Sequence, residues 1–241
     1  MTGQYIKRKA KKTWKKLCAS LKKIPYEIKR FIIKKTIKNR DFSMISNNCW
    51  AGTVYRYLDM PYLSPTAGLY FFAEDFIKFV SDLHHYLNTS LEFIDATESK
   101  YFEELKNRNQ THRPIGKIDD IEIVFLHYAT REEAKEKWDR RKARVNYDNI
   151  IIKFSRMNLC TEKELKAFDV LPFENKFFLN NQLPLKYKSE IFYRDDVGGE
   201  RGIIRDNEPF PGKIRLKKLL DKPKCAYPES GLLYSNKSND I

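Results

Sequence analysis

The sequence lacks the short motifs by which several large enzyme classes are recognised. It contains no G-x-G-x-x-G, no P-loop and no H-E-x-x-H, so the fingerprints of dinucleotide-binding proteins, Walker-type nucleotidases and zinc peptidases are absent. It also contains no D-x-D. The nearest acidic pair, Asp120 and Glu122, opens a predicted strand instead of following one. We therefore predict neither a metal site nor a cofactor.

Cysteines and long apolar runs are also scarce. The chain has four cysteines and none lies in a C-x-x-C pair, which argues against a zinc knuckle or a thioredoxin-type site. No run approaches the ~20 apolar residues of a membrane-spanning helix. Charges interrupt the N-terminal segment too often for a signal peptide. These absences predict a cytoplasmic protein, in which disulfides are not expected.

Acidic residues are nearly missing from residues 1–40, which we call the basic arm. The arm holds 15 of the 46 lysines and arginines and one acid, Glu27, so its net charge is 15 − 1 = +14. The other residues hold 31 basic and 31 acidic side chains and are neutral overall. A nucleic-acid-binding domain usually spreads basic charge over its folded surface. In this chain only the arm carries the excess positive charge needed to bind an anionic partner. We predict no nucleic-acid partner.

The basic arm also has an apolar stripe, spaced by three or four residues and roughly 80° wide on a helix. The stripe consists of Ile6, Ala10, Trp14, Leu17, Leu21 and Ile24. Pro25 ends this helix, and a second basic segment follows at 28–37. One apolar face with Trp and one lysine-rich face are typical of a helix in the lipid interface. We predict that the arm holds the protein on the anionic inner face of the cell membrane. The alternatives are a helix packed on its own domain and an RNA-binding tail.

Residues 41–241 are predicted to form one domain, best supported over 41–195. Strand and helix patterns alternate along it. The predicted strands are 42–46, 91–94, 121–128, 149–154 and 176–179. The predicted helices are 49–58, 73–87, 130–145 and 161–168, and residues 100–113 are predicted to form a short helix and a polar loop. Capping boxes begin the last two helices at Thr130 and Thr161. This alternation predicts a three-layer α/β fold, in which helices cover both faces of a mixed or mainly parallel sheet.

The segment 45–52, I-S-N-N-C-W-A-G, singles out Cys49. It places the thiol in a strand-to-helix turn, where free amides and the helix dipole lower a thiol pKa. The same amides are able to hold an oxyanion. Asn47, Asn48 and Trp50 are predicted to contact the substrate. The alternative is that Asn48 only caps the helix and Cys49 is a small buried residue.

His127 ends the strongest predicted strand, a position at which α/β proteins often place catalytic groups. Cys49 and His127 therefore form a candidate nucleophile–base pair. Asp148 or Asn149, before the next strand, is a candidate to orient the imidazole. The alternative is a half-buried histidine with a structural role.

The helix after His127 carries Arg140, Arg141 and Arg144. Arg140 and Arg144 are four residues apart and share a helix face. If this face lines a cleft, its guanidinium groups are able to clamp a phosphate or carboxylate. The alternative is a solvated surface on which these arginines pair with acids of the same helix.

Several of these segments together resemble a bacterial family, the domain of unknown function 1919, whose members are often labelled exopolysaccharide biosynthesis proteins. The similarity spans about 41–195, and the matching stretches are 45–52, 55–58, 61–65, 125–128, 132–149, 153–154, 160–161 and 171–173. This family commonly has Gly where the chain has Ala51. A more distant similarity is to papain-like cysteine peptidases, which share an Asn-Cys turn and a later histidine. The resemblance implies a role in making capsule or other surface polysaccharide and leaves the reaction open.

Three functions are compatible with these patterns. The first is acyl transfer or hydrolysis by Cys49 and His127 on a sugar or lipid-linked saccharide. The second is a glycosyl- or glycerolphosphate-type transferase in which the arginines hold donor phosphates. The third is a non-catalytic scaffold that binds other polysaccharide-assembly proteins.

Overall fold

The computed structural model describes residues 25–194, 202–204, 206 and 216–228. Its helices are α1 (Tyr26–Thr36), α2 (Trp50–Leu58), α3 (Ala73–Ser81), α4 (Leu83–Asn88), α5 (Phe102–Asn107), α6 (Arg131–Lys142), α7 (Glu162–Val170) and α8 (Leu216–Leu220). Its strands are β1 (Ser43–Ser46), β2 (Tyr70–Phe71), β3 (Glu92–Ile94), β4 (Ile115–Ile118), β5 (Ile121–Val124), β6 (Ile150–Ser155), β7 (Lys176–Asn180) and β8 (Glu190–Phe192). The amphipathic helix predicted at residues 6–24 lies outside the described residues.

The strands form two four-stranded sheets. One sheet is parallel, with strand order β1-β6-β7-β8. The other is antiparallel, with strand order β2-β5-β4-β3. All six residues of β6 are buried, as expected for a strand that is covered on both faces of a parallel sheet.

Helices cover the parallel sheet on both sides. Ile151 packs in one apolar cluster with side chains of α2 and α8. The neighbouring Ile152 points the other way and packs in a second cluster with side chains of α3 and α7, because successive side chains of a strand alternate between faces. The predicted α/β class and its layered arrangement are therefore confirmed.

Two predicted elements have different bounds in the structure. The predicted helix 73–87 is broken at Asp82, whose carboxylate accepts a hydrogen bond from the amide of His85 (3.0 Å) and starts α4. The predicted strand 121–128 ends at Val124, where it pairs with β4 in a hairpin. His127 therefore lies in the loop after β5 and not at the end of a strand.

The second half of the basic arm contacts the domain. Arg30 Nε of α1 donates to the carbonyl of Tyr57 (2.8 Å), and both Arg30 and Lys34 form ion pairs with Asp59. Ile37, just after α1, is buried in the α2 cluster. Within the described segments, no helix has the length and apolarity needed to cross a bilayer.

Candidate functional site

The turn between β1 and α2 is held by side-chain amides. Asn47 exchanges two hydrogen bonds with the backbone of Ser155 at the end of β6, both of 3.1 Å. Its own carbonyl accepts from the amide of Phe71 in the antiparallel sheet (3.0 Å). Asn47 is fully buried and joins the two sheets, which is a structural role. Its contact with substrate stays a prediction.

Cys49 caps the N-terminus of α2, as the sequence predicts. The first amides of this helix are already occupied, however. The amide of Trp50 donates to Asn48 Oδ1 (3.2 Å), and the amide of Ala51 donates to Ser46 Oγ (3.1 Å). These two amides are therefore not available as an oxyanion hole.

The environment of the Cys49 thiol also differs from the prediction. Burial, reinforced by the nearby Asp206 carboxylate, raises the pKa of Cys49 to about 11. The thiol lies 3.7 Å from the carbonyl oxygen of Leu69, to which it donates. The predicted lowering of its pKa is wrong because desolvation of the thiolate outweighs the helix dipole. At neutral pH the group is a thiol.

Trp50 faces the protein core. Its side chain is fully buried and its ring meets Phe177 edge-on, with ring centroids 5.7 Å apart. It does not line a cavity that Cys49 borders. The structure therefore gives Trp50 a packing role, and its contact with substrate stays a prediction.

A buried ion pair lies beside Asn48. Lys153 Nζ of β6 pairs with the Asp206 carboxylate, and both side chains are almost completely shielded from solvent. Ser155 Oγ (2.5 Å) and Asn48 Nδ2 (2.8 Å) donate to the same carboxylate, and Lys153 also donates to Asn48 Oδ1 (3.1 Å). Burial lowers the pKa of Lys153, and the Asp206 carboxylate opposes that shift. Asn48 thus links the Cys49 turn to a buried charge pair.

His127 and Cys49 border the same cavity. The backbone amide of His127 donates to the carbonyl of Gly68 (3.0 Å), which fixes the loop against the chain that precedes β2. In the described part of the chain, no hydrogen bond joins the imidazole to the Cys49 thiol. Partial burial and the Arg113 and Arg56 guanidinium groups lower the pKa of His127. The imidazole is therefore mainly neutral at neutral pH and has an unprotonated ring nitrogen that is able to accept a proton.

Asp148 and Asn149 lie at the opposite edge of the parallel sheet. They precede β6, whereas Cys49 follows the carboxyl end of the parallel neighbour β1. A strand of four to six residues separates these edges by roughly 13–20 Å. Asn149 is buried and donates to Asn39 Oδ1 (2.9 Å). This placement argues against a contact of either residue with His127, and their orienting role stays a prediction.

The three arginines of α6 have different environments. Arg141 is buried, donates to the carbonyl of Ala67 (2.9 Å) and to the hydroxyl of Tyr128, and lies 4.6 Å from the ring centroid of Tyr62. Arg140 is exposed and pairs with Glu136 (3.0 Å) on the same helix. Arg144 is exposed beyond the end of α6. The solvated-surface alternative therefore describes Arg140 and Arg144, and only Arg141 borders the cavity of Cys49 and His127.

This cavity, which we call the cationic cavity, has a volume of about 430 Å³. Its wall contains the basic side chains of Arg56, Lys137 and Arg141 and one carboxylate, that of Glu133. In the described residues, Arg56 and Lys137 make no ion pair. The cavity therefore holds an excess of positive charge beside a neutral imidazole, an arrangement that is able to bind an anion.

Sequence reasoning missed four residues of this region. Arg56 and Lys137 lie on helices whose sequences show no unusual pattern. Lys153 does leave a signal, since a lysine in the otherwise buried strand I-I-I-K-F-S needs a counter-charge. Its partner, Asp206, is 53 residues away, and no local pattern identifies it. Among the described residues, no cluster of His, Cys, Asp and Glu has the arrangement of a metal site.

Comparisons with known proteins identify the family of this chain. The family model described as "Domain of unknown function (DUF1919)" matches residues 20–200. An uncharacterized protein of Haemophilus influenzae is 32% identical over 169 residues, which cover 68% of this chain and 76% of that relative. Residues 20–200, which the family model matches, contain the Cys49 turn, His127 and all of α6.

Proposed function

The chain belongs to the family of the domain of unknown function DUF1919, and from that premise we propose that it is a peripheral membrane enzyme of bacterial surface-polysaccharide biosynthesis. Its substrate is a saccharide that carries phosphate, bound in the cationic cavity. The polysaccharide role rests on the sequence resemblance to proteins with that label. The membrane location rests on the charge and apolar stripe of the basic arm.

The cationic cavity is the observation that carries the proposal. Three basic side chains and one acid line a volume within the 300–1,000 Å³ common for small-molecule sites. The fixed guanidinium of Arg141 is held by neutral oxygen atoms, so its charge is not cancelled. A phosphate or diphosphate of a sugar donor supplies the missing negative charge and matches the planar donors of arginine.

His127 supplies the chemistry of this transferase. Its neutral imidazole accepts the proton of an acceptor hydroxyl as that oxygen bonds to the transferred carbon or phosphorus atom. The bond to the departing phosphate oxygen breaks in the same step. Arg56, Lys137 and Arg141 stabilise the negative charge that develops on the departing phosphate.

A second candidate, acyl transfer through Cys49, is favoured by one observation. Cys49 and His127 border the same cavity, so a bound ester lies within reach of both. The thiol sulfur then attacks the carbonyl carbon while His127 takes the thiol proton, and the imidazolium gives this proton to the departing alcohol, which leaves an acyl group on Cys49. An acceptor hydroxyl or water then attacks this acyl group, and His127 moves its proton to the departing sulfur, which restores the thiol. The raised pKa of Cys49 weighs against this mechanism because little thiolate is present at neutral pH.

Calorimetric titration with inorganic pyrophosphate and with UDP-glucose at low salt tests the phosphate site. We expect Arg56→Ala and Lys137→Ala each to weaken binding about tenfold, the loss for one charge-assisted hydrogen bond. The matched control is Arg140→Ala, which removes an exposed arginine of α6 that pairs with Glu136. If neither probe binds, or if all three variants behave alike, the phosphate site is wrong and the scaffold function gains support.

A further inference from the structure

A second, larger cavity lies on the other side of Cys49. Its volume is about 790 Å³. Among the described residues, Cys49 is the one side chain that borders both cavities. The adjacent residues Leu126 and His127 face opposite ways, Leu126 into the larger cavity and His127 into the cationic cavity. Cys49 and this dipeptide thus form a partition between two compartments.

The larger cavity differs from the cationic cavity in its chemistry. The charged groups on its wall are already paired: Arg108 with Glu104 (2.6 Å) and Asp206 with Lys153. No excess charge remains to bind phosphate. Aliphatic side chains cover much of the rest of the wall, namely Leu126, Met157, Leu159, Ile203 and Ile204.

The rim of the larger cavity is strained and apolar. Asn158 and Leu159 are consecutive residues with positive φ (55° and 64°), and neither is glycine. Such residues cost of order 1–3 kcal/mol each and concentrate at ligand sites. In this conformation Leu159 has 53% of its surface exposed. Ile204, on the same cavity wall, is 50% exposed. Single exposed apolar side chains are ordinary on a protein surface. An exposed leucine held in a strained backbone conformation beside a cavity is not.

Polar groups line the deeper part of the same wall. Gln110 accepts a hydrogen bond from the hydroxyl of Tyr70 (2.6 Å), so its own amide hydrogens are left to donate. The Glu104 carboxylate, which accepts from Arg108 through Oε1, also borders the cavity and is able to accept further hydrogen bonds through Oε2. Hydroxyl groups, which donate and accept, match this combination.

We propose that the larger cavity binds the acceptor substrate, a saccharide joined to an aliphatic chain. The saccharide hydroxyls contact Gln110 and Glu104, and the chain lies across Leu159 and Ile204. The assignment as acceptor rests on the proposed transferase function, whereas the binding of an alkyl saccharide stands by itself. The donor and acceptor sites then meet at Cys49, which borders both cavities, and the hydroxyl to be activated lies beside Cys49 and next to the loop that carries His127.

Octyl β-glucoside, used below its micelle-forming concentration, is the probe for this cavity. Binding to the full chain is measured by ligand-observed NMR titration. Methyl β-glucoside carries the same head, and octyl tri(ethylene glycol) carries the same tail. We expect octyl β-glucoside to bind more tightly than either, because both parts of the cavity are occupied at once. Equal binding of the two octyl compounds, or no binding of the glucoside, would overturn the proposal.

Leu159→Gly is the informative variant. Glycine adopts positive φ without strain, so the fold is retained or gains stability. Removing the aliphatic side chain should weaken octyl β-glucoside binding roughly fivefold, since the leucine is only half available to the ligand. Leu185→Gly, at another exposed leucine away from both cavities, is the matched control. Unchanged binding in Leu159→Gly contradicts the proposal.

The two sites can be tested independently. Leu159→Gly should leave pyrophosphate binding unchanged, and Arg56→Ala should leave octyl β-glucoside binding unchanged. If the glucoside binds as described but pyrophosphate does not, the proposed phosphate site fails and the alkyl saccharide site stands. If pyrophosphate binds as expected but the glucoside does not, only the proposed alkyl saccharide site is wrong.

Discussion

At the scale of single residues, Cys49 shows how burial overrides a local motif. The turn places the thiol at a helix N-terminus, but its pKa is raised to about 11. We expect Cys49 to react slowly with iodoacetamide at pH 7 and faster as the pH rises from about 9 towards 11. Peptide mapping by mass spectrometry separates it from the other cysteines. Rapid alkylation at pH 7 would indicate that Cys49 is a thiolate at neutral pH and would favour acyl transfer.

The raised pKa of Cys49 also links stability to pH. The folded protein binds the thiol proton more tightly than the unfolded chain, whose thiol has a pKa near 9.0. This contribution to stability is therefore complete below pH 9 and is lost as the pH rises through about 11. Cys49→Ser should remove this loss of stability in alkaline solution.

Lys153 and Asp206 are the residues on which the Cys49 turn depends. Removing one member of a buried ion pair leaves an uncompensated charge and costs about 3–5 kcal/mol. We expect Lys153→Met to lower the free energy of unfolding in urea by about that amount. Lys135→Met, which breaks an exposed pair with Asp139, is the matched control and should cost less than about 1 kcal/mol. Equal losses of unfolding free energy in the two variants would mean that the buried ion pair stabilises the protein no more than the exposed pair does.

At the scale of elements, α1 presents an apolar face to solvent. Ile28, Phe31 and Ile32 are 46–61% exposed and share one side of the helix with Lys35. Arg30 and Lys34, on the other side, fix α1 to the domain through Asp59. A fixed helix with an exposed apolar face and basic neighbours matches the interfacial binding predicted for the basic arm.

The exposed face of α1 can be tested with lipid vesicles. Phe31→Ser with Ile32→Ser should reduce co-sedimentation with phosphatidylglycerol vesicles roughly tenfold, because two apolar side chains no longer enter the lipid. Salt should weaken binding of both proteins by screening the lysines. Val170→Ser, at an exposed apolar residue of α7, is the control. Unaltered sedimentation would exclude α1, and binding to RNA instead of vesicles would favour the tail alternative.

At the scale of the whole molecule, the excess charge of the sequence and the charge around the cavities have different origins. The excess charge of the sequence lies in residues 1–40, and the domain is neutral overall. Within that neutral domain, basic side chains are nevertheless concentrated around the cationic cavity. The net charge of the chain therefore does not reveal the anion site, since charges distant in sequence meet there.

The sequence by itself determined the features that depend on near neighbours. The α/β class follows from the alternation of strand and helix patterns. The position of Cys49 at the start of α2, and the caps at Thr130 and Thr161, follow from residues within a few positions of one another. These features are predictable because hydrogen bonds within a helix or a cap join residues three or four apart.

Only the tertiary structure decided the chemistry of the site. It placed Asp148 and Asn149 at the far edge of the sheet, brought Asp206 to Lys153, and separated Arg141 from Arg140 and Arg144. It also buried the thiol of Cys49 and so raised its pKa. The physical reason is that pKa values and cavities depend on which distant groups remove water from a side chain, and the local sequence does not specify those groups.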